Sequence, residues 1–297
     1  YSLKFGINID WIQGAGGNTS VKDNGTLWVK ASGCWLSSSN SHDIFIPIKH
    51  SEVIKSISNK KFEMTSNNLG KLRPSIETSL HALMPHKYVF HTHSVGIISV
   101  AILKNGKQYL EEIFQYINWA WVPYALPGNK LAKKMQQIIK FKPDVIVLAN
   151  HGLVVGSEKA KNAFKLLIDI ENIIARKCRK ITLTDSTELS TMINQTNYRI
   201  CKYSVVNSIA DDELALQIVQ TGTLYPDHVV FLGPGPMNIL SIEELSLHIT
   251  DLNYVAKNKV IIVRNMGVIV AVSYTHLRAH ESRHDLECSL LLEKKKG

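Results

Sequence analysis

The sequence predicts an α/β protein. Strand-length apolar runs alternate with helix-periodic segments, and one of the latter, residues 158–180, is strongly amphipathic. The longest apolar runs, such as "VIIV" and "GVIVAV", stay far short of the roughly 20 residues that cross a bilayer as a helix.

The elements follow in chain order. "LWVKA" (27–31), "YVFHTH" (88–93) and "VIVLA" (145–149) read as strands, rich in β-branched and aromatic residues. "LRPSIETSLHAL" (72–83) reads as a helix start. Pro74 precedes Ser75 as N-cap, Ile76, Leu80 and Leu83 form an apolar face, and Glu77 falls in the first turn. Over 158–180, Ala160, Ala163, Phe164, Leu167, Ile170, Ile174 and Cys178 share one helical face, with basic residues gathered at the C-terminal end. The polar, Ser/Thr-rich stretch 182–197 reads as a linker. Beyond it, "HVVFLGPGP" (228–236) suggests a strand and a breaker, and "SIEELSLHI" opens with the capping-box spacing Ser241 to Glu244. "VIIVRNMGVIVAV" predicts a hairpin turning at Asn265 to Gly267.

The predicted organisation is therefore a first domain over 1–181, a linker over 182–197, a smaller α/β extension over 198–272 that reads as truncated, and a tail over 273–297. The tail spaces His276, His280 and His284 four residues apart, which on a helix would stack three imidazoles. It also closely resembles translated adapter sequence, and it is set aside as non-native. Tyr1 stands where a Met would begin a complete chain, so the sequence reads as a fragment, and no signal peptide is visible in it.

Composition narrows the function classes. A hydrophobic share of 45% and a charged share of 20% are those of an ordinary globular protein. The formal charge of +9 is scattered, with Lys and Arg often beside Glu or Asp, so no basic stripe argues for nucleic acid. Nothing argues for a membrane. Cys34, Cys178, Cys201 and Cys288 lie far apart with no C-x-x-C, which argues against a thiolate zinc site and a disulfide framework and points to a reducing cytoplasm.

Chemistry concentrates in a few motifs. "HTH" sets His91 and His93 at i and i+2, so on a strand both imidazoles face one ion. With 12 His in the chain, about half an H-x-H arises by chance, so the motif decides nothing alone. A catalytic zinc takes three protein ligands and keeps one open position. His151, in "VIVLANHGLVV", stands where an apolar strand ends and Gly152 permits close backbone approach; it is either that third ligand or a turn residue. Glu77 is either a carboxylate complementing a helix dipole or a general base beside a metal. "GAGGNTSVK" (14–22) and "KASG" (30–33) lack the dinucleotide and P-loop patterns, yet both are small-residue turns able to present donors to a phosphate.

In the order "GGNTSVK", "KASG", "RPSIE", "HTH", "NHGLVV", these motifs resemble the class II aldolase/adducin family over roughly residues 5 to 180. The rhamnulose-1-phosphate aldolase-like branch is the most similar, through "PSIET…LHA…HTH" and "WVPY…PG". The resemblance implies a three-layer α/β/α domain with a mostly antiparallel central sheet, assembled as a homotetramer with active sites between subunits. It implies that His91, His93 and His151 hold zinc or another divalent ion and that Glu77 is the acid–base carboxylate. It implies that Asn18, Ser32, Gly33 and Ser75 bind a substrate phosphate, and that a Tyr from a neighbouring subunit donates a proton, with Tyr109 and Tyr116 in the right region. One departure stands out: Ile76 replaces the Ser or Thr that many sugar-phosphate members carry before the Glu.

The implied reaction is reversible aldol cleavage of a ketose phosphate between C3 and C4, giving dihydroxyacetone phosphate and a short aldehyde without a lysine Schiff base. Two rivals share the scaffold: a sugar-phosphate epimerase or dehydratase, and a non-catalytic adducin-like interaction module.

Overall fold

The computed structural model describes residues 1–59, 72–174 and 185–272. The chain divides into two units, Tyr1–Ala175 and Arg176–Gly297. In the first, seven strands make one sheet: β1 (Asn18–Asp23), β2 (Thr26–Lys30), β3 (Phe45–Lys49), β4 (Tyr88–Thr92), β5 (Trp119–Val122), β6 (Val145–Leu148) and β7 (Gly152–Ser157). Their order is β3-β2-β1-β4-β7-β6-β5, and every pair is antiparallel except β5 with β6.

The alternation along these strands produces the layers. Phe90, Val145, Val147, Leu153 and Val155 face one way, into a core shared with Ile97, Leu110 and Leu167 of three helices. Val89, Ile146, Leu148 and Val154 face the other way, onto Leu80, Leu131 and Met135. A strand whose odd and even positions are both apolar must be covered on both faces, so helices sandwich the sheet. The chain thus has the α/β fold with a mostly antiparallel sheet that the resemblance implies.

The long amphipathic helix spans Ala160–Ile174 and buries Ala163, Leu167, Ile170 and Ile174. Residues 175–180 of the predicted span, with Cys178, lie outside the described residues. At the other predicted helix, two details differ. The helix is Thr78–Leu83 with Glu77, not Ser75, at its N-cap, and Ile76 is 56% exposed rather than on the apolar face. The cause is a turn ahead of the helix, where the Thr78 amide donates to the Ser75 carbonyl and swings Ile76 outward.

The second unit builds a four-stranded sheet from β8 (Tyr198–Ile200), β9 (Asn238–Leu240), β10 (Val260–Val263) and β11 (Gly267–Ala271), ordered β8-β11-β10-β9. The predicted hairpin is present: β10 and β11 pair antiparallel, and Asn265 takes φ 60° in the turn between them. The capping box is present too, the Ser241 amide donating to Glu244 at 2.7 Å and the Glu244 amide to the Ser241 hydroxyl at 3.2 Å. Two expectations fail here. "HVVFLGPGP" is not a strand; Pro226–Leu232 is a helix, because Pro226 occupies the first turn, where its missing N–H is harmless. Within the stretch read as a linker, Thr187–Ile193 is a helix that buries Leu189 and Ile193 in the second core. Two apolar residues four apart suffice for that, despite the Ser/Thr-rich surroundings. The tail residues 273–297, with His276, His280, His284 and Cys288, lie outside the described residues.

Candidate metal centre

Three local features deliver the site. β4 ends at Thr92 because Ser94 caps the helix Val95–Ala101, its hydroxyl accepting from the Ile97 amide at 3.2 Å. His93 therefore sits in the joint between strand and helix, on the same side as His91. His151 lies in the tight β6–β7 connection, where Asn150 takes φ 55° and the His151 amide donates to the Leu148 carbonyl. Gly152 follows because nothing larger fits: a Cβ there would stand 2.3 Å from the Thr92 carbonyl oxygen. Glu77 arrives from the N-terminus of the helix Thr78–Leu83.

All four side chains are buried, and one ligand atom from each lies within 4.8 Å of all the others. Glu77 Oε1 stands 3.0 Å from His91 Nε2, 3.1 Å from His151 Nε2 and 3.8 Å from His93 Nε2. His91 Nε2 and His93 Nε2 are 3.1 Å apart. His91 Nδ1 donates to the Leu153 carbonyl at 3.0 Å, since a carbonyl only accepts, so in the neutral ring Nε2 carries a lone pair. That lone pair faces a carboxylate oxygen. Acceptors crowded in this way need a proton or a cation among them. Three imidazole nitrogens and a carboxylate are the donor set of a divalent-ion site, so these residues fit a metal.

The electrostatics agree. Burial alone would raise the Glu77 carboxyl, but when the imidazoles are protonated the His91 charge and the bonds from His151, His91 and His93 overturn it, holding Glu77 well below the usual carboxylate range. Burial pushes the His151 imidazole below its ordinary value, only partly offset by Glu77. The first direction keeps the Glu77 carboxylate ionised and the second keeps the His151 imidazole neutral, the forms in which each can ligate a cation.

The other predicted site residues are distributed as follows. Asn18 is fully buried opposite His91 in the β1–β4 register; its Oδ1 accepts from the Lys30 amide, and its Nδ2 has no partner among the described residues. Ser75 is buried, its hydroxyl accepting from the Glu77 amide at 3.2 Å. Ser32 and Gly33 are exposed, Gly33 with φ 73°, and the Ser32 amide donates to the Arg73 carbonyl. Of the two tyrosines, Tyr116 is 99% exposed, while Tyr109 packs against the core on the sheet face away from Glu77.

Reading the sequence missed two residues. Lys30 is only 2% exposed, and its ammonium donates to the Ala15 carbonyl at 2.9 Å and the Cys34 carbonyl at 2.7 Å, tying the two glycine turns together. Burial brings its pKa down to about 8, against the opposing pull of Glu77 and Cys34. His81, one helical turn beyond Glu77, is fully buried with Nδ1 2.7 Å from the Ser20 hydroxyl, and burial holds it well below the ordinary imidazole value. Lys30 had a visible signal, a cation beside a glycine turn. His81 had none beyond its spacing.

Residues 3–177 match the family described as the Class II Aldolase and Adducin N-terminal domain. The chain belongs to that family. Among curated relatives, the "Uncharacterized oxidoreductase YuxG" of Bacillus subtilis is 33% identical over 177 residues, covering 52% of this chain and 25% of the relative. The chain thus corresponds to about a quarter of that longer protein. Among solved structures, the N-terminal class II aldolase domain of a conserved Thermoplasma acidophilum protein aligns with TM-score 0.50 and 30% identity, over 58% of this chain and 88% of that one. An L-fuculose-1-phosphate aldolase from Thermus thermophilus aligns with TM-score 0.41 and 13% identity, over 58% of this chain and 88% of that one. The class II aldolase/adducin match covers all but the first two residues of the first unit, so the buried Glu and three His belong to the family domain. No helix among the described residues is long and apolar enough to cross a membrane.

Proposed function

We propose that the chain is a metal-dependent lyase catalysing reversible aldol cleavage of a ketose phosphate to dihydroxyacetone phosphate and a short aldehyde. One observation carries this reading: Glu77 Oε1 and three histidine nitrogens converge in a buried cluster, with Gly16 of the first glycine turn close against His93. His91, His93 and His151 would hold a divalent ion, and zinc suits the nitrogen donors best. When bound, such an ion acts as a Lewis acid at substrate oxygens and disperses the negative charge that carbon–carbon cleavage leaves behind.

The chain's own residues supply the rest. Glu77, held ionised, is the base that takes a proton from the substrate at Oε1 and returns it in the reverse direction. Its burial keeps competing water away from that transfer. Asn18 Nδ2, Ser75 and the Ser32–Gly33 turn hold the phosphate and so fix where the reacting carbons lie. The tyrosine proton donor, homotetrameric assembly and cytoplasmic setting belong to the same reading.

A cleavage screen over ketose 1-phosphates, with and without a chelator, tests it. Chelator-sensitive release of dihydroxyacetone phosphate is expected. A stereoisomer formed without carbon–carbon cleavage would transfer the site to an epimerase. A folded protein that takes up no divalent metal would end the enzymatic reading and leave the interaction module.

A further inference from the structure

The proposed phosphate pocket has a charge problem. Asn18, Ser32 and Ser75 are neutral donors, whereas a phosphomonoester is close to a dianion at neutral pH. The nearby buried cation, Lys30, already directs its ammonium at the carbonyls of Ala15 and Cys34. A second cation would match the dianion's charge.

The local pairing supplies one. Ala31 bridges Pro74 antiparallel, and the Ser32 amide donates to the Arg73 carbonyl at 2.9 Å, so Ser32 stands opposite Arg73. Opposed residues of an antiparallel pair project to the same side, and so do residues i and i+2 of one extended segment. Ser32, Arg73 and Ser75 therefore share a face. Ser75 is the buried end of that face, against Glu77, and Arg73 the exposed end. The Arg73 guanidinium makes no hydrogen bond or ion pair among the described residues. It has the planar fork of donors that matches a phosphate bidentately.

We propose that Arg73 is the charge-bearing specificity residue of this site, closing over a phosphomonoester held by Ser32 and Ser75 and selecting phosphorylated substrates over neutral sugars. The proposal rests on the sugar-phosphate reading of the same site. It gives the segment "RPS" one shared job: Arg73 and Ser75 face the anion, while Pro74, paired with Ala31, sets their separation.

The test is calorimetric titration of inorganic phosphate into the full chain and into Arg73→Gln and Arg73→Lys, at equal metal content. Wild type should bind saturably. Arg73→Gln should bind about tenfold to a hundredfold more weakly, the scale of a lost charge-assisted bond, with Arg73→Lys in between. Unchanged melting temperatures would show that the loss is local, as expected for an exposed side chain. Equal phosphate affinity in wild type and Arg73→Gln overturns the role of Arg73 and leaves the sugar-phosphate reading standing. No phosphate binding by wild type overturns both. If Arg73→Gln folds poorly, the decisive pair is wild type against Arg73→Lys, where equal bidentate and point-charge binding would contradict the fork.

Discussion

The two units bury different things. Among the described residues, and apart from tyrosines, every buried polar or charged side chain except His228 lies in the first unit, from Gln13 to His151. The second unit encloses Leu216, Ile261, Ile262, Val268 and Ile269 in an apolar core with little else. Removing a polar group from water without full compensation is unfavourable, and a second core built by the same chain shows that it need not be done. Buried polarity in the first unit gathers around Glu77, His91, His93 and His151, the residues proposed to hold a metal. The orphaned Nδ2 of Asn18 and the crowded acceptors around Glu77 are among the places where the protein alone does not complete the bonding, as are Gln13 Oε1, His81 Nε2 and Thr92 Oγ1.

Substitutions in each unit should separate these roles. The largest effect is expected at the cluster: His93→Ala should drop bound divalent metal from about one per chain to near zero by elemental analysis. Glu77→Gln should retain the metal yet lose at least about a hundredfold in turnover. Normal turnover in Glu77→Gln would reassign the base. In the second unit, Leu216→Ala should lower stability by about 2–5 kcal/mol in denaturant titration and leave metal content unchanged. A metal loss there would break the contrast between the units.

Lys30→Met should come next. Removing the ammonium that ties Ala15 to Cys34 loosens both glycine turns, so KM for a phosphorylated substrate should rise about tenfold with a smaller change in kcat. A fall in kcat alone would place Lys30 at the reacting atoms instead.

The smallest effect is a pH slope. Burial pushes the Glu171 carboxyl up to about 7, against the opposing Ser94 bond and with help from Asp10. Between the ordinary carboxylate value and about 7, the folded state holds a proton that the unfolded state has released, so stability falls as pH rises through this window. Glu171→Gln should therefore raise the melting temperature at pH 8 and change it little at pH 4. Equal shifts at both pH values would show a packing effect rather than titration.

What could be read in advance followed from local rules. The β10–β11 hairpin, the Ser241 capping box and the helix Ala160–Ile174 depend on contacts within a few residues, and each was visible as spacing. The helix Pro226–Leu232 was misread because a short apolar run of Val, Val, Phe and Leu satisfies either period, and only packing and the Pro226 start choose between them. The site divides in the same way. That His91 and His93 face one side follows from the two-residue period of a strand. That His151 and Glu77 meet them does not: the four residues lie as far apart as positions 77 and 151, and no local rule relates such positions.

The sequence by itself determined the α/β class, the ordered motifs that place the chain in its family, and the residue types able to ligate a metal. Only the tertiary structure decided that Glu77, His91, His93 and His151 share a buried volume, that Lys30 serves as a tie between turns, and that Ser32 faces Arg73. The physical reason is range. Propensity, capping and periodicity act over a few residues, whereas burial and long-range pairing depend on which distant segments the sheet order β1-β4-β7 brings side by side.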